Sequence, residues 1–167
     1  MKLNLLMCSD DVLAGYRNID PVPTFTNTEQ AFSSDKEIGD VQCLDGIADD
    51  GEVEEIIAQD IIDYVDIPNK LQTIQNWVKK LSYNAKLVIS GIDLYETCKS
   101  FGSTALSDEQ AILLLYGDPD FPFGQRRGCL QMEQVINILT QLGLVVIQKR
   151  ISNFRYTIVA ERRANAS

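Results

Sequence analysis

Polar side chains follow four short apolar segments of this sequence. They stand where the strands of an α/β sheet would end, and nucleotide-type cofactors are often bound at such ends. A carboxylate there can accept hydrogen bonds from ligand hydroxyl groups, and a tight turn can bring backbone N–H groups close to the ligand. The turn after the first segment has no glycine, although such turns usually need one. The residues concerned are Met7 to Ser9, Asp20, Asp45 and Ala58 to Asp60.

Several other kinds of chemistry have no support in the composition. The chain contains no histidine, which excludes His-based triads and histidine metal sites. Its four cysteines are widely and irregularly spaced. They match no zinc pattern, and reduced thiols in a cytosol-like compartment are expected. Asp10–Asp11 and Asp49–Asp50 lack the spacing of a calcium loop and are interpreted as solvated turn acids. No metal site is predicted.

The net charge of −9 is unevenly distributed along the chain. Residues 1–66 hold 16 acids and 3 bases, whereas residues 67–167 hold 8 acids and 12 bases. An acidic half would be repelled by the phosphates of a nucleic acid, so broad nucleic-acid binding is disfavoured. The basic residues from Arg126 to Arg163 could form a local anion site, but a solvated surface is the preferred interpretation. Apolar runs fall far short of the roughly 20 residues that cross a bilayer, so the sequence predicts no membrane segment and a cytoplasmic protein.

Apolar patterning predicts strands that alternate with helices and end in a hairpin. A capping-box signal at Ser107 and Gln110 opens the third helix, and Gly143 is expected to end the fourth. A helical turn is predicted within Thr26–Lys36, and a hairpin turn at Ile151–Asn153. The predicted strands are Lys2–Met7, Tyr16–Ile19, Asp40–Leu44, Val53–Ala58, Leu87–Ile89, Leu144–Arg150 and Phe154–Glu161. The predicted helices are Ile67–Leu81, Leu94–Phe101, Ser107–Tyr116 and Leu130–Leu142.

Alternation of this kind requires crossover connections, and these produce a mostly parallel sheet covered on both faces. The hairpin adds an antiparallel strand. In the helix Ile67–Leu81 the apolar face is predicted to comprise Leu71, Ile74, Val78 and Leu81. The length predicts one domain, taken as residues 1–163 with a loose tail at 164–167.

The segment LLMCSDDVLAGYRNID resembles the opening of small class I S-adenosylmethionine (SAM) methyltransferases. Their first turn reads Gly-Cys-Gly and is followed by Gly-Tyr and Asn-Ile-Asp. VEEIIAQDIIDYV, NWVKKLSYNAKLVIS and GIDLYETCKSF are similar to their later part. The likeness covers nearly the whole chain and is greatest to small methyltransferase-domain proteins of bacteriophages. It implies a Rossmann-like fold with a seven-stranded sheet, an antiparallel last strand, helices on both faces, and SAM as the cofactor.

The resemblance also implies which residues hold the cofactor. Met7, Cys8 and Ser9 would stand where the glycine loop of the family cradles the amino-acid end of SAM. Asp20 would accept hydrogen bonds from the ribose hydroxyls. Asp45 would lie near the edge of the adenine.

By the same likeness, Gln59 and Asp60 would line the methyl-donor side of the site. Tyr64 would lie one turn further along the chain. Asp93, which follows the fifth strand, would face the substrate. The resemblance assigns no catalytic residue. Methyl transfer from a sulfonium depends mainly on positioning, so the lack of histidine does not exclude it.

The sequence departs from the family pattern in two turns. Met7 and Ser9 replace the two glycines, and a side chain at these positions would take space beside the cofactor. Tyr83-Asn84-Ala85 replaces the Pro-Gly-Gly turn before the fifth strand. Both departures argue against efficient SAM binding.

Two functions therefore compete at the level of sequence, and a third, a glycan- or nucleotide-binding protein that uses the same crevice, has weaker support. The first is a SAM-dependent methyltransferase with an unidentified acceptor. The second is an inactive methyltransferase fold kept as a binding or structural module, with a host or phage protein as partner. If the chain is phage-encoded, its expected location is the cytoplasm of the infected cell.

Overall fold

The structure of the chain is a computed structural model. The structure describes residues 1–7, 11–21, 35–103, 105–118 and 124–164. The strands are β1 Lys2–Leu5, β2 Arg17–Asp20, β3 Lys36–Ile38, β4 Val53–Gln59, β5 Leu81–Ile92, β6 Leu144–Ser152 and β7 Arg155–Arg162. The helices are α1 Lys70–Lys80, α2 Leu94–Gly102, α3 Asp108–Tyr116 and α4 Met132–Gln141. Short 3₁₀ helices lie at Leu44–Gly46, Ile61–Tyr64 and Ile67–Asn69.

The seven strands form one sheet in the order β3-β2-β1-β4-β5-β7-β6. β1 to β5 are parallel to one another, and β7 runs antiparallel to both β5 and β6. The chain moves from β1 outward to β2 and β3 and then returns to β4 on the other side of β1. This confirms the predicted fold class, an α/β Rossmann-like fold with a mostly parallel sheet and a C-terminal antiparallel hairpin.

The hydrophobic core lies between the sheet and the crossover helices. Leu3, Leu5, Ile56 and Leu87 are buried in the sheet, and Trp77 of α1 is buried against it. α1 contacts β5, whereas α4 contacts β6 and β7. Every helix in the described part of the chain is too short or too polar to cross a membrane.

The predicted strand Asp40–Leu44 is wrong. β3 lies earlier, at Lys36–Ile38, and Val41 and Leu44 are buried without joining the sheet. Their backbone groups pair with side chains of α1 instead. Trp77 Nε1 donates to the Val41 carbonyl at 2.7 Å, and the Leu44 N–H donates to Asn76 Oδ1 at 2.7 Å. Because these bonds satisfy the buried backbone, the apolar residues need no neighbouring strand.

The predicted helix Ile67–Leu81 divides into three parts. A 3₁₀ turn covers Ile67–Asn69, α1 covers Lys70–Lys80, and Leu81 is already the first residue of β5. Ile74 and Val78 are buried as predicted, but Leu71 is exposed. The expected α3 capping box between Ser107 and Gln110 is confirmed.

The other boundaries shift for local reasons. β5 starts six residues before the predicted Leu87 and carries Asn84 at a φ of 64°. This asparagine thus adopts the left-handed conformation at a position where the resembling family has a glycine. The predicted hairpin turn starts two residues and ends one residue too early, since Asn153 and Phe154 both have positive φ and connect β6 to β7. The prediction of a helical turn within Thr26–Lys36 falls mostly on residues 26–34, which lie outside the described residues. Lys36 itself belongs to β3.

Candidate functional site

A crevice of about 190 Å³ opens at the carboxyl ends of β1 and β4. These neighbouring strands are the switch point of the sheet, because the chain leaves β1 in one direction and β4 in the other. Ligands of open α/β sheets bind at such a point. Four of the residues predicted from sequence line the crevice together: Met7, Gln59, Asp60 and Tyr64.

Met7 forms part of the wall and packs against the core. The side chain therefore occupies space beside β1 that a glycine would leave open. Cys8 and Ser9, which were predicted with it, lie outside the described residues.

Asp60 is fixed in the crevice by its neighbours on β5 and β7. It has a φ of 62°, and its N–H donates to the Ser90 carbonyl at 3.0 Å. Ser90 Oγ donates to Asp60 Oδ1 at 3.2 Å, and Arg155 forms an ion pair with Oδ2. The crevice thus presents a carboxylate and a guanidinium side by side.

Two buried asparagines hold the opposite side of the crevice. Asn4 and Asn18 face each other across β1 and β2, and Asn4 Nδ2 donates to Asn18 Oδ1 at 2.8 Å. Asn4 Nδ2 also donates to the Asp11 carbonyl at 2.9 Å. Asn18 accepts from the Leu13 N–H at 2.9 Å and donates to the carbonyls of Leu13 and Tyr16. These neutral amides fix the loop that carries Asp11 and Leu13 to the rim.

Asp63 is a second carboxyl group, on the same 3₁₀ helix as Tyr64, and it is fully buried. Its Oδ2 accepts from the Ile92 N–H at 2.9 Å and from Arg126 at 3.2 Å. Burial raises the pKa of Asp63 to about 7, against the opposing effect of Ile92 and Arg126. The Arg126 guanidinium also stacks over the Tyr64 ring at 5.3 Å, so this cluster positions one wall of the crevice.

The remaining predicted residues lie elsewhere. Asp20 is buried at the end of β2, with Oδ2 3.8 Å from Lys36 Nζ. Asp45 is exposed and lines a separate surface depression, where it pairs with Lys80 at 2.7 Å. Asp93 caps α2 through the Glu96 N–H at 2.9 Å. Its second oxygen accepts from the Met132 N–H at 2.8 Å, so both oxygens bind helix N-termini.

Asn4, Asn18 and Asp63 were missed from the sequence. A signal existed for Asn4, because a polar residue interrupts an otherwise apolar strand there. Arg155 is one of the basic residues from Arg126 to Arg163, for which a local anion site was considered but a solvated surface preferred. Within the described residues, His, Cys, Asp and Glu side chains nowhere form the groups of three that could hold a metal ion.

Comparisons with known proteins support the fold. No family model matches the chain, and no curated protein matches it in sequence. A SAM-dependent methyltransferase from Methanosarcina mazei superimposes with a TM-score of 0.62 at 11% identity, over 98% of this chain and 93% of that one. The N-methyltransferase NodS from Bradyrhizobium japonicum WM9, in complex with S-adenosylhomocysteine (SAH), gives 0.58 at 15% identity, over 98% and 78%.

An O-methyltransferase family protein from Burkholderia thailandensis gives a TM-score of 0.55 at 12% identity. The match covers 78% of this chain and only 36% of that one, so this chain corresponds to about a third of that protein. Structural neighbours of the chain thus include methyltransferases, one of them named as SAM-dependent and one bound to SAH, and at these identities the likeness is one of fold.

Proposed function

We propose that this chain binds SAM in the crevice between β1 and β4 and transfers the methyl group of SAM to an acceptor. The observation that carries the proposal is the convergence of Met7, Gln59, Asp60 and Tyr64 at the switch point of the sheet. The carboxyl ends of the strands at the switch point are where open α/β sheets bind nucleotide-type ligands.

The charges of the crevice suit the amino-acid end of SAM. Its carboxylate would bind Arg155, and its ammonium group would bind Asp60, in place of the present ion pair between the two. Charge-assisted hydrogen bonds of this kind are short and strong. SAM bound there would supply an activated methyl group: the lone pair of an acceptor would take the methyl carbon, and the electron pair of the broken carbon–sulfur bond would stay on sulfur. SAH is the second product.

Calorimetric titration with SAH tests the cofactor directly. At a concentration 100 times the Kd, bound SAH stabilises the native state by about 2.7 kcal/mol, which corresponds to a rise in Tm of roughly 5–10 °C. Asp60→Asn should weaken binding about tenfold, because it removes the charge opposite the ammonium group. The matched control is Glu133→Gln on the exposed face of α4, which should bind like the natural chain. The absence of heat and of a Tm shift at millimolar SAH would contradict the proposal.

A second candidate is an inactive methyltransferase fold that serves as a binding module. Two observations favour it. The Met7 side chain takes up space in the crevice, and Asp20, which is buried with Oδ2 3.8 Å from Lys36 Nζ, is not among the residues that line it. If the chain is such a binding module, SAH should not bind the natural chain. The double substitution Met7→Gly and Ser9→Gly should then allow SAH to bind. Tight binding by the natural chain would exclude it.

A further inference from the structure

α2 and α3 together expose an apolar surface. Residues 111–116 of α3 read Ala-Ile-Leu-Leu-Leu-Tyr, and of these only Ala111 is buried. Ile112, Leu113 and Tyr116 are 55%, 52% and 66% exposed. The helix packs mainly against α2. A helix that is apolar on several sides is normally covered by another element or by a partner.

A groove of about 320 Å³ runs between the two helices, larger than the crevice at β1 and β4. Phe101 of α2 and Ile112, Leu115 and Tyr116 of α3 form its walls, and Asp108 lies at one end. The groove is thus an apolar channel with a carboxylate beside it. Grooves of this shape accept the apolar face of an amphipathic helix.

The charges around the groove determine which kind of partner fits. Residues 94–117 hold three acids, Glu96, Asp108 and Glu109, and one base, Lys99. Lys99 Nζ lies 3.8 Å from Glu96 Oε1, so these two charges offset each other. The remaining charges are those of Asp108 and Glu109 at the start of α3, and both are negative. A second copy would bring two acidic rims together, and anionic lipid or nucleic acid would be repelled. A basic segment is complementary to this rim.

We propose that the α2–α3 groove binds an amphipathic helical segment of a basic partner protein. Apolar residues spaced by three and four enter the groove, and Lys or Arg residues beside them face Asp108 and Glu109. The burial of the apolar side chains supplies most of the affinity, and the acidic rim determines the sign of charge that is accepted. This interaction is independent of the β1–β4 crevice and needs no cofactor.

Fluorescence anisotropy with three labelled 18-residue peptides tests the proposal on the full chain. The first is a Leu/Lys peptide with leucines at i, i+3 and i+4, the second replaces every Lys by Glu, and the third replaces every Leu by Ser. We expect the Leu/Lys peptide to bind at least tenfold more tightly than either of the others. Ile112→Ser should weaken its binding about tenfold, and Glu109→Lys should reduce its preference over the Leu/Glu peptide. Ile147→Ser, at an exposed apolar position on β6, is the matched control and should bind normally.

Several results would overturn the proposal. Equal binding of the Leu/Lys and Ser/Lys peptides would show that net charge alone attracts them. Binding that Ile112→Ser leaves unchanged would place the peptide elsewhere on the chain. A dimer in light scattering that Ile112→Ser dissociates would identify a second copy as the occupant. Thermal unfolding of each variant verifies that it remains folded, which is expected because Ile112, Glu109 and Ile147 are exposed.

Discussion

The two sides of the crevice are built from different chemistry. On the β1–β2 side, the neutral amides of Asn4 and Asn18 bind the backbone of the neighbouring loop. On the β4–β5 side, charged groups do the corresponding work, since Asp63 binds Arg126 and Asp60 binds Arg155. Both sides hold crevice residues in place, but the amides that do so on the first side are neutral at every pH, whereas the carboxyl groups that do so on the second side are ionisable.

The two carboxyl groups on the β4–β5 side, Asp63 and Asp60, also differ from each other. Asp63 is fully buried, whereas Asp60 and Arg155 are partly exposed in the crevice. Burial penalises an ionised carboxyl unless its partners compensate for the lost hydration. For Asp63 the penalty prevails and the pKa rises to about 7. Asp63 thus belongs to the framework of the site, while Asp60 and Arg155 are placed to meet a ligand.

The largest effect is expected for Asp63→Asn, followed as a function of pH. The folded-state pKa of about 7 lies above the unfolded value near 4, so the native state binds this proton more tightly. The resulting stabilisation is complete below about pH 4 and is lost as the pH rises to 7. Relative to Asp63→Asn, the natural chain should lose up to about 4 kcal/mol of unfolding free energy over this range. Urea unfolding at several pH values measures the difference.

Glu133→Gln is the control for this experiment. Glu133 is an exposed carboxyl paired with Lys149 on the surface, so its removal should leave the pH dependence of the natural chain unchanged. Parallel curves for the natural chain and Asp63→Asn would mean that folding leaves the pKa of Asp63 unchanged, because Arg126, Lys70 and the Ile92 N–H compensate fully for its burial.

A smaller effect, independent of pH, is expected on the amide side. Asn18→Ala removes the acceptor for the Leu13 N–H and for Asn4 Nδ2, and leaves buried donors without a partner. Such a loss costs about 1–3 kcal/mol. The destabilisation measured by urea unfolding should be the same at pH 5 and pH 7. Asn137→Ala on the exposed face of α4 is the control and should change stability by roughly 0.5 kcal/mol or less. A loss that varies strongly with pH would mean that the two sides are coupled.

Local signals in the sequence predicted much of the fold. The apolar runs of β1 and β4 and the cap of α3 at Ser107 are determined by neighbouring residues. The strand predicted at Asp40–Leu44 failed because its hydrogen-bond partners, Asn76 and Trp77, stand more than thirty residues away. Apolar character predicted correctly that Val41 is buried but could not reveal what its carbonyl binds.

The site was partly predictable for the same reason. Met7, Gln59 and Asp60 follow strands that were recognised, and parallel strands place their carboxyl ends at one edge. Arg155 is 95 residues from Asp60 and meets it only because β7 lies beside β5. Asn4 and Asn18 are 14 residues apart, and their contact depends on the register of β1 with β2. Neither contact has a signature in a single sequence.

The smallest effect is expected for Arg155→Gln, which breaks the ion pair with Asp60. Arg155 is 43% exposed, and exposed ion pairs contribute about 0.2–1 kcal/mol. Salt screens such a pair, so the difference from the natural chain should shrink as ionic strength rises. Lys149→Gln, which removes the exposed partner of Glu133, should behave in the same way. A loss above about 2 kcal/mol that salt leaves unchanged would contradict this prediction. It would mean that the Asp60–Arg155 pair is desolvated and structural like Asp63, and then an incoming ligand could separate it only at a much greater cost.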